Sequence, residues 1–296
     1  LNALLFISRV FTNYSKASAS AKRITEILNE KEELVIKDIP SIKTDYAIEF
    51  SNVSFSYNHK EENVSNITFG VKKGKTLGII GSTGSGKSTL IKLLLRLYDV
   101  QKGTIRLNGK DIKEYKKEEY HSLFATVFQD FKIFAATIAD NVKMGCVQEK
   151  DYAGIEQALC QSGFKERLGS FKKGMKTSLT REFDEEGVNL SGGESQKVAI
   201  ARTFYKYCPV IILDDPSSAL DPVSEYQLNE MMLKAAKDKA VIFISHRLSS
   251  TVMADRIYML EQGKIIEVGS HKELMEQNGK YAQMFRMQAE KYNMFR

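Results

Sequence analysis

The residues best equipped for chemistry lie together in Gly81-Ser82-Thr83-Gly84-Ser85-Gly86-Lys87-Ser88, where three glycines, a lysine and a hydroxyl stand at phosphate-loop spacing. Glycines at these positions let successive backbone N–H groups curl around a β-phosphate, and a helix starting at Lys87 adds the positive potential of its N-terminus. Lys87 then reaches the β and γ oxygens, and the Ser88 hydroxyl ligates Mg²⁺. A second stretch, Val210-Ile211-Ile212-Leu213-Asp214-Asp215-Pro216, is an apolar strand ending in paired carboxylates. Such a strand end delivers Asp214 to the water shell of the metal and leaves Asp215 facing the γ-phosphate, where it can orient or deprotonate water. Together these residue types point to hydrolysis of a nucleoside triphosphate.

The loop needs a strand before it and a helix after it, and the pattern supplies both: a β run from Thr76 to Ile80 and a helix from Lys87 to Tyr98. Upstream, Ile48, Phe50, Val53, Phe55 and Tyr57 mark one strand and Ile67, Phe69 and Val71 the next. A third, Thr104 to Leu107, runs into Asn108-Gly109, a strong hairpin signal. The stretch from about Gln129 to Gly187 is mostly helical. Val210 to Leu213 and Val241 to Ile244 are short, fully apolar runs separated by a helical segment, which predicts a parallel sheet covered on both faces. A last hairpin from Arg256 to Val268 turns near Gly263, and a single helix follows from His271. At the other end, Leu1 to Val35 reads as mostly helix, with a start too apolar for a solvated face, and a polar connector containing Pro40 follows.

Composition narrows the class. With 43% hydrophobic residues in a chain of 296, disorder is excluded, and 19 Gly with 4 Pro exclude collagen-like or low-complexity sequence. No run approaches the ~18 apolar residues that cross a bilayer, and Leu1 to Ala21 does not read as a signal peptide. Cys146, Cys160 and Cys208 are scattered, which predicts reduced thiols without a disulfide or a metal cluster. The net charge of +6 is spread over the chain without a basic tract, so no nucleic-acid partner is expected.

Leu190-Ser191-Gly192-Gly193-Glu194 reads locally as a helix N-cap ahead of Glu194 to Tyr205. Placed between a phosphate loop and a strand ending in Asp-Asp, it resembles the signature of the ATP-binding cassette, or ABC, proteins. From Ala47 to Gln288 the chain is similar to the nucleotide-binding domain of an ABC transporter of exporter type. The resemblance implies an α/β fold: a P-loop ABC ATPase core with a parallel sheet, an antiparallel β subdomain, and a helical signature subdomain over about residues 129–200. That domain would span residues 36–296, and residues 1–35 resemble the cytosolic end of a last transmembrane helix and its linker. Asp184-Glu185-Glu186-Gly187 sits where exporters carry an acidic loop that touches the membrane domain.

Carried over by residue, the resemblance makes Tyr57 the aromatic that stacks on adenine and Gly81 to Thr89 (Gly81, Ser82, Thr83, Gly84, Ser85, Gly86, Lys87, Ser88, Thr89) the ATP loop. Gln129 would touch Mg²⁺ and the attacking water, and His246 the γ-phosphate. Ser191, Gly192, Gly193 and Glu194 would bind the ATP of a partner domain, and Asp221 would lie in the loop that reaches across to it. ATP and Mg²⁺ are therefore the expected cofactors, with Ser88, Gln129 and Asp214 at the metal. The expected partners are a second ABC nucleotide-binding domain and a transmembrane domain, at the cytoplasmic face of the cell membrane. Two positions depart from the pattern. Ser195 replaces an often long or basic residue. Asp215 stands where the family usually has Glu, which retracts the carboxylate by on the order of 1 Å, a displacement that can cost about 10²-fold in rate. The shortened carboxylate beside an intact signature favours a heterodimer over a homodimer. The alternatives are the ATPase subunit of an ABC importer and a soluble ABC ATPase acting on nucleic acid or ribosomes. The soluble class carries a long coiled-coil insertion or a tandem second cassette, and neither is found here.

Overall fold

The computed structural model describes residues 2–29, 44–216, 222–235, 239–245 and 247–293. The chain divides into two compact units, Leu1–Lys37 and Asp38–Arg296. In the first, helix α1 (Asn2–Leu28) leaves Leu4, Leu5, Phe6, Ile7, Val10 and Phe11 exposed near its start and Ile24, Ile27 and Leu28 near its end. Among the described residues no helix is long and apolar enough to cross a membrane.

The described residues of the second unit form ten strands in two sheets. Strands β1 (Tyr46–Phe55), β2 (Val64–Lys72), β3 (Thr76–Gly81), β4 (Lys102–Leu107) and β5 (Lys110–Asp111) lie in its first part. Strands β6 (Phe124–Val127), β7 (Val210–Asp214), β8 (Ala240–Ile244), β9 (Arg256–Glu261) and β10 (Lys264–Gly269) follow. One sheet has the order β2-β1-β4-β5 and is antiparallel. The other has the order β10-β9-β3-β8-β7-β6, parallel throughout except for the β10 edge. Burial explains the division. Every residue of β3, β7 and β8 is buried, as a sheet covered on both faces demands, whereas β2 alternates buried and accessible positions. In the antiparallel sheet Phe50 opposes Phe69 with ring centroids 4.4 Å apart. The β4–β5 turn, Asn108 at φ 51 and Gly109 at φ 79, has the two left-handed residues of a type I′ hairpin.

The helices of this unit are α2 (Lys87–Leu94), α3 (Lys117–Ser122), α4 (Ile138–Lys143), α5 (Tyr152–Gln161), α6 (Lys165–Gly169), α7 (Gly192–Tyr205), α8 (Pro222–Ala235), α9 (Leu248–Thr251), α10 (His271–Gln277) and α11 (Lys280–Asn293). Helices α4, α5 and α7 share a core of their own, with Ile138, Val142, Ile155, Leu159 and Val198 at its centre.

Two local expectations fail, and one strand is not anticipated. Helix α2 stops at Leu94, four residues short of Tyr98: Arg96 takes a left-handed φ of 50°, and the Leu97 N–H closes on the Lys92 carbonyl at 2.9 Å. The Tyr120 hydroxyl donates to the Leu94 carbonyl, so tertiary contacts end the helix where local propensity would continue it. The C-terminal helix is two, because Asn278 turns left-handed at φ 53 and caps α10. Strand β6 contains strand-favouring Phe124, Thr126 and Val127, but four residues are too few to show a period.

Candidate functional site

Strand β3 runs buried to Gly81, where a side chain has no room: an added Cβ would sit 2.2 Å from the Leu260 carbonyl and 2.6 Å from Ser85 Oγ. The loop then curls to Gly86, at φ 103, which caps α2 without any side-chain hydrogen bond. The N-terminal N–H groups of α2 are thereby left uncapped by side chains. Lys87, 5% exposed, folds back so that Nζ donates to the carbonyls of Gly81 and Ser82, each at 2.8 Å. Burial pulls its pKa below the ordinary lysine value, opposed by the nearby Asp214 and Asp215 carboxylates. One cation thus stands between the loop and both strand-end acids.

A cavity of about 470 Å³ opens in front of this loop. Thr83, Gly84, Gly86, Lys87, Ser88 and Thr89 line one side, and Gln129 and Asp214 face them from the ends of β6 and β7. Gly81, Ser82 and Ser85 form the loop behind that lining. The remaining wall was not legible in the sequence. It comprises Glu61, Glu62 and Asn63 from the β1–β2 connection and Gln262 and Gly263 from the β9–β10 turn. These two turns buttress the loop. The Gly263 N–H donates to the Ser85 carbonyl at 3.1 Å, and the Ser65 N–H donates to the Gly263 carbonyl at 2.8 Å. Polar turn residues distant in sequence give no signal of such a role, and only the hairpin near Gly263 was visible.

The other expected residues lie around this cavity or away from it. Asp215 is buried but does not line it; its φ of 52° turns it out of the strand direction. Its N–H donates to the Ile244 carbonyl at 2.8 Å, its Oδ1 accepts from the Ser245 hydroxyl at 3.2 Å, and its carbonyl accepts from Gln196 Nε2 at 3.4 Å. Tyr57, 41% exposed, lies two residues beyond β1, and its N–H donates to Oδ1 of the cavity-lining Asn63 at 3.0 Å. Asp221 and His246 fall outside the described residues.

The signature residues are not in this cavity either. Ser191 caps α7 in a reciprocal box: its hydroxyl accepts from the Glu194 N–H at 3.3 Å, and Glu194 Oε2 accepts from the Ser191 N–H at 2.8 Å. Burial works against the Glu194 charge, yet these hydrogen bonds and Arg167, 2.7 Å away, hold its carboxyl below the usual value. Ser191 and Gly192 face solvent.

A metal ion is testable by donor chemistry. Among the described residues no cluster of three or more His, Cys, Asp or Glu could hold one. The Ser88 hydroxyl, the Asp214 carboxylate and the Gln129 amide nonetheless line one cavity, a sparse set of hard oxygen donors. Mg²⁺ is held in that way, by one or two protein oxygens together with substrate phosphates. The residues fit it. Cys146, Cys160 and Cys208 are free thiols.

Comparison with known proteins places the fold in a family. The model of the "ABC transporter" family matches residues 64–218. The chain belongs to that family. It carries an ABC ATPase domain of exporter type, and its fold matches a bacterial Atm1-family ABC exporter solved with ATP bound, at a TM-score of 0.80 and 32% identity over 91% of this chain and 46% of that one. ATP-binding cassette sub-family B member 6 of Homo sapiens is 38% identical over 262 residues, 87% of this chain and 30% of that protein. The ATP-dependent lipid A-core flippase of Burkholderia thailandensis is 38% identical over 276 residues, covering 92% and 45%. A putative multidrug export ATP-binding/permease protein of Bacillus subtilis is 37% identical over 281 residues, covering 94% and 47%. The chain therefore spans between 30% and 47% of the length of these relatives.

Proposed function

We propose that this chain is the motor of an ABC exporter, binding and hydrolysing ATP to drive export across a membrane at its cytoplasmic face. The observation that carries the reading is the convergence of the phosphate loop, Lys87, Ser88, Gln129 and Asp214 on one cavity of about 470 Å³. In this reading the loop N–H groups and the α2 N-terminus hold the β-phosphate, and Lys87 compensates charge on the β and γ oxygens. Ser88, Asp214 and Gln129 would hold Mg²⁺, which when bound neutralises phosphate charge. Asp215, which does not itself line the cavity but follows the cavity-lining Asp214, would orient the attacking water, its backbone clamped by Ile244 and Gln196 and its carboxylate by Ser245. His246 contacts the γ-phosphate and Tyr57 the adenine.

The separation of Ser191 to Glu194 from the cavity supports a head-to-tail pair, in which the signature and Asp221 of one domain complete the site of the other. A groove of about 270 Å³ beside Gln129, lined by Phe128, Phe131, Phe134 and Met144, supports docking of a transmembrane domain whose helices follow the motor. The partner domain is a different chain, because an intact signature serves the partner's site while the shortened Asp215 serves this one. Asp215→Ala and Ser191→Ala, assayed side by side in the intact transporter, test that pairing. A heterodimer keeps most turnover with Asp215→Ala and loses nearly all with Ser191→Ala, whereas equal collapse indicates a homodimer. The motor reading itself is tested by Lys87→Ala: unchanged ATP binding and turnover would overturn it.

A further inference from the structure

The early end of α2 places a side chain that the site has not yet used. After the left-handed Arg96, the guanidinium turns inward to donate to the carbonyls of Ile112 and Tyr115, each at 3.1 Å, and pairs with Asp99 at the same distance. The next residues are tied to the end of β1. Gln101 accepts from the Ser56 N–H at 2.9 Å through Oε1, and donates to the Ser56 carbonyl at 2.8 Å through Nε2. One amide thus clamps both backbone groups of the residue before Tyr57. The consequence is a fixed pair of rings: Tyr98 meets Tyr57 nearly edge-on, with centroids 5.1 Å apart and planes at 83°. Buried Phe55 completes the cluster, 5.0 Å and 90° from Tyr57 and 5.5 Å from Tyr98. The cluster lies outside the cavity lining, and α2 links the two. Thr89 lines the cavity, and Lys92, one turn further on, holds its ammonium 5.7 Å from the Tyr57 centroid.

We infer that Tyr98 is a positioning residue for the nucleotide base, setting the plane of the Tyr57 ring before ATP arrives. The inference rests on the reading of Tyr57 as the base-stacking aromatic. A half-exposed ring at a strand end samples several rotamers, and a base that stacks on it must bear the ordering of that ring. Two near-perpendicular aromatic contacts remove this freedom in advance, and an edge-to-face pair is strong enough to matter. Tyr98 is itself 42% exposed, so its ring is held in place without being part of the core.

The test uses the native full-length chain that carries this sequence, with equilibrium binding of ATP and of inorganic triphosphate, which has no base. Tyr98→Ala is expected to weaken ATP binding roughly five-fold, and Tyr98→Phe, which keeps the ring, to bind ATP like the parent. Inorganic triphosphate is expected to bind all three equally. In a Tyr57→Ala background, Tyr98→Ala is expected to add nothing. If Tyr57→Ala weakens ATP but Tyr98→Ala does not, the positioning role is overturned while the stacking role stands. An equal loss of triphosphate and ATP in Tyr98→Ala also overturns it, by showing a general disturbance of the loop. If Tyr57→Ala leaves ATP binding unchanged, the stacking reading falls, and the inference falls with it.

Discussion

Two glycine-rich segments of this chain lead into helices, and they differ in how each helix begins. Before α2, Gly86 offers no side-chain cap, so the first N–H groups of that helix remain for a ligand, with Lys87 buried beside them. Before α7, Ser191 and Glu194 cap each other and consume two of the backbone donors internally. The first segment opens on a cavity in its own chain, and the second faces solvent. A helix N-terminus becomes a phosphate site when its donors are left over and a cation converges on them. One that caps itself, with Ser191 and Gly192 exposed, is shaped to contribute a face to something else.

The largest expected effect tests the first segment. Lys87→Ala should lower ATP affinity and turnover by about 10²- to 10³-fold, since it removes the buried cation beside the uncapped α2 N-terminus; isothermal binding and phosphate release measure both. Next, the loop should be intolerant at Gly81 and tolerant at Gly84, although both have positive φ. An added Cβ at Gly81 meets the Leu260 carbonyl at 2.2 Å, while nothing lies within 4 Å of one at Gly84. Gly84→Ala should cost about 1 kcal/mol in thermal unfolding through backbone strain alone, and Gly81→Ala more than about 3 kcal/mol. Similar losses at the two positions would mean that the start of the loop is not packed against β9.

The smallest effect is a pH dependence confined to the second segment. Glu194 has its pKa lowered from 4.5 by folding, so its stabilisation of the α7 cap is complete above that value. It is lost as pH falls through the lower folded-state value. Protection from hydrogen exchange at the first turn of α7, taken relative to the intrinsic exchange rate at each pH, should therefore fall at acid pH in the parent chain. In Glu194→Gln, which lacks the titrating group, it should change less. The first turn of α2, which has no carboxylate cap, serves as the internal control.

Much of the core of this site was legible because its chemistry is local. The residues of a phosphate loop must be contiguous, and β7 had to be apolar to reach Asp214 through the centre of a covered sheet. The capping of α7 was equally visible, because Ser191 and Glu194 are three residues apart. What escaped the sequence depends on chain segments that meet only after folding. Asn63 and Gly263 press on the loop from two turns 200 residues apart. Tyr98 read as part of a helix until the Arg96 guanidinium found its carbonyls across the domain. Asp215 was read as facing the γ-phosphate, and its hydrogen bonds to Ser245 and Gln196 come from elements that no spacing relates to it.

The central claim is that the two segments serve different ATP sites, and Ser191→Ala tests it most directly. ATP affinity of this chain and ATP turnover of the intact transporter are measured on the same variant. Affinity should stay within about two-fold of the parent, because Ser191 lies outside the cavity that holds Lys87. Turnover should nearly disappear if the signature completes the partner's site. A loss of affinity comparable to that of Lys87→Ala, or turnover that survives intact, would contradict the claim.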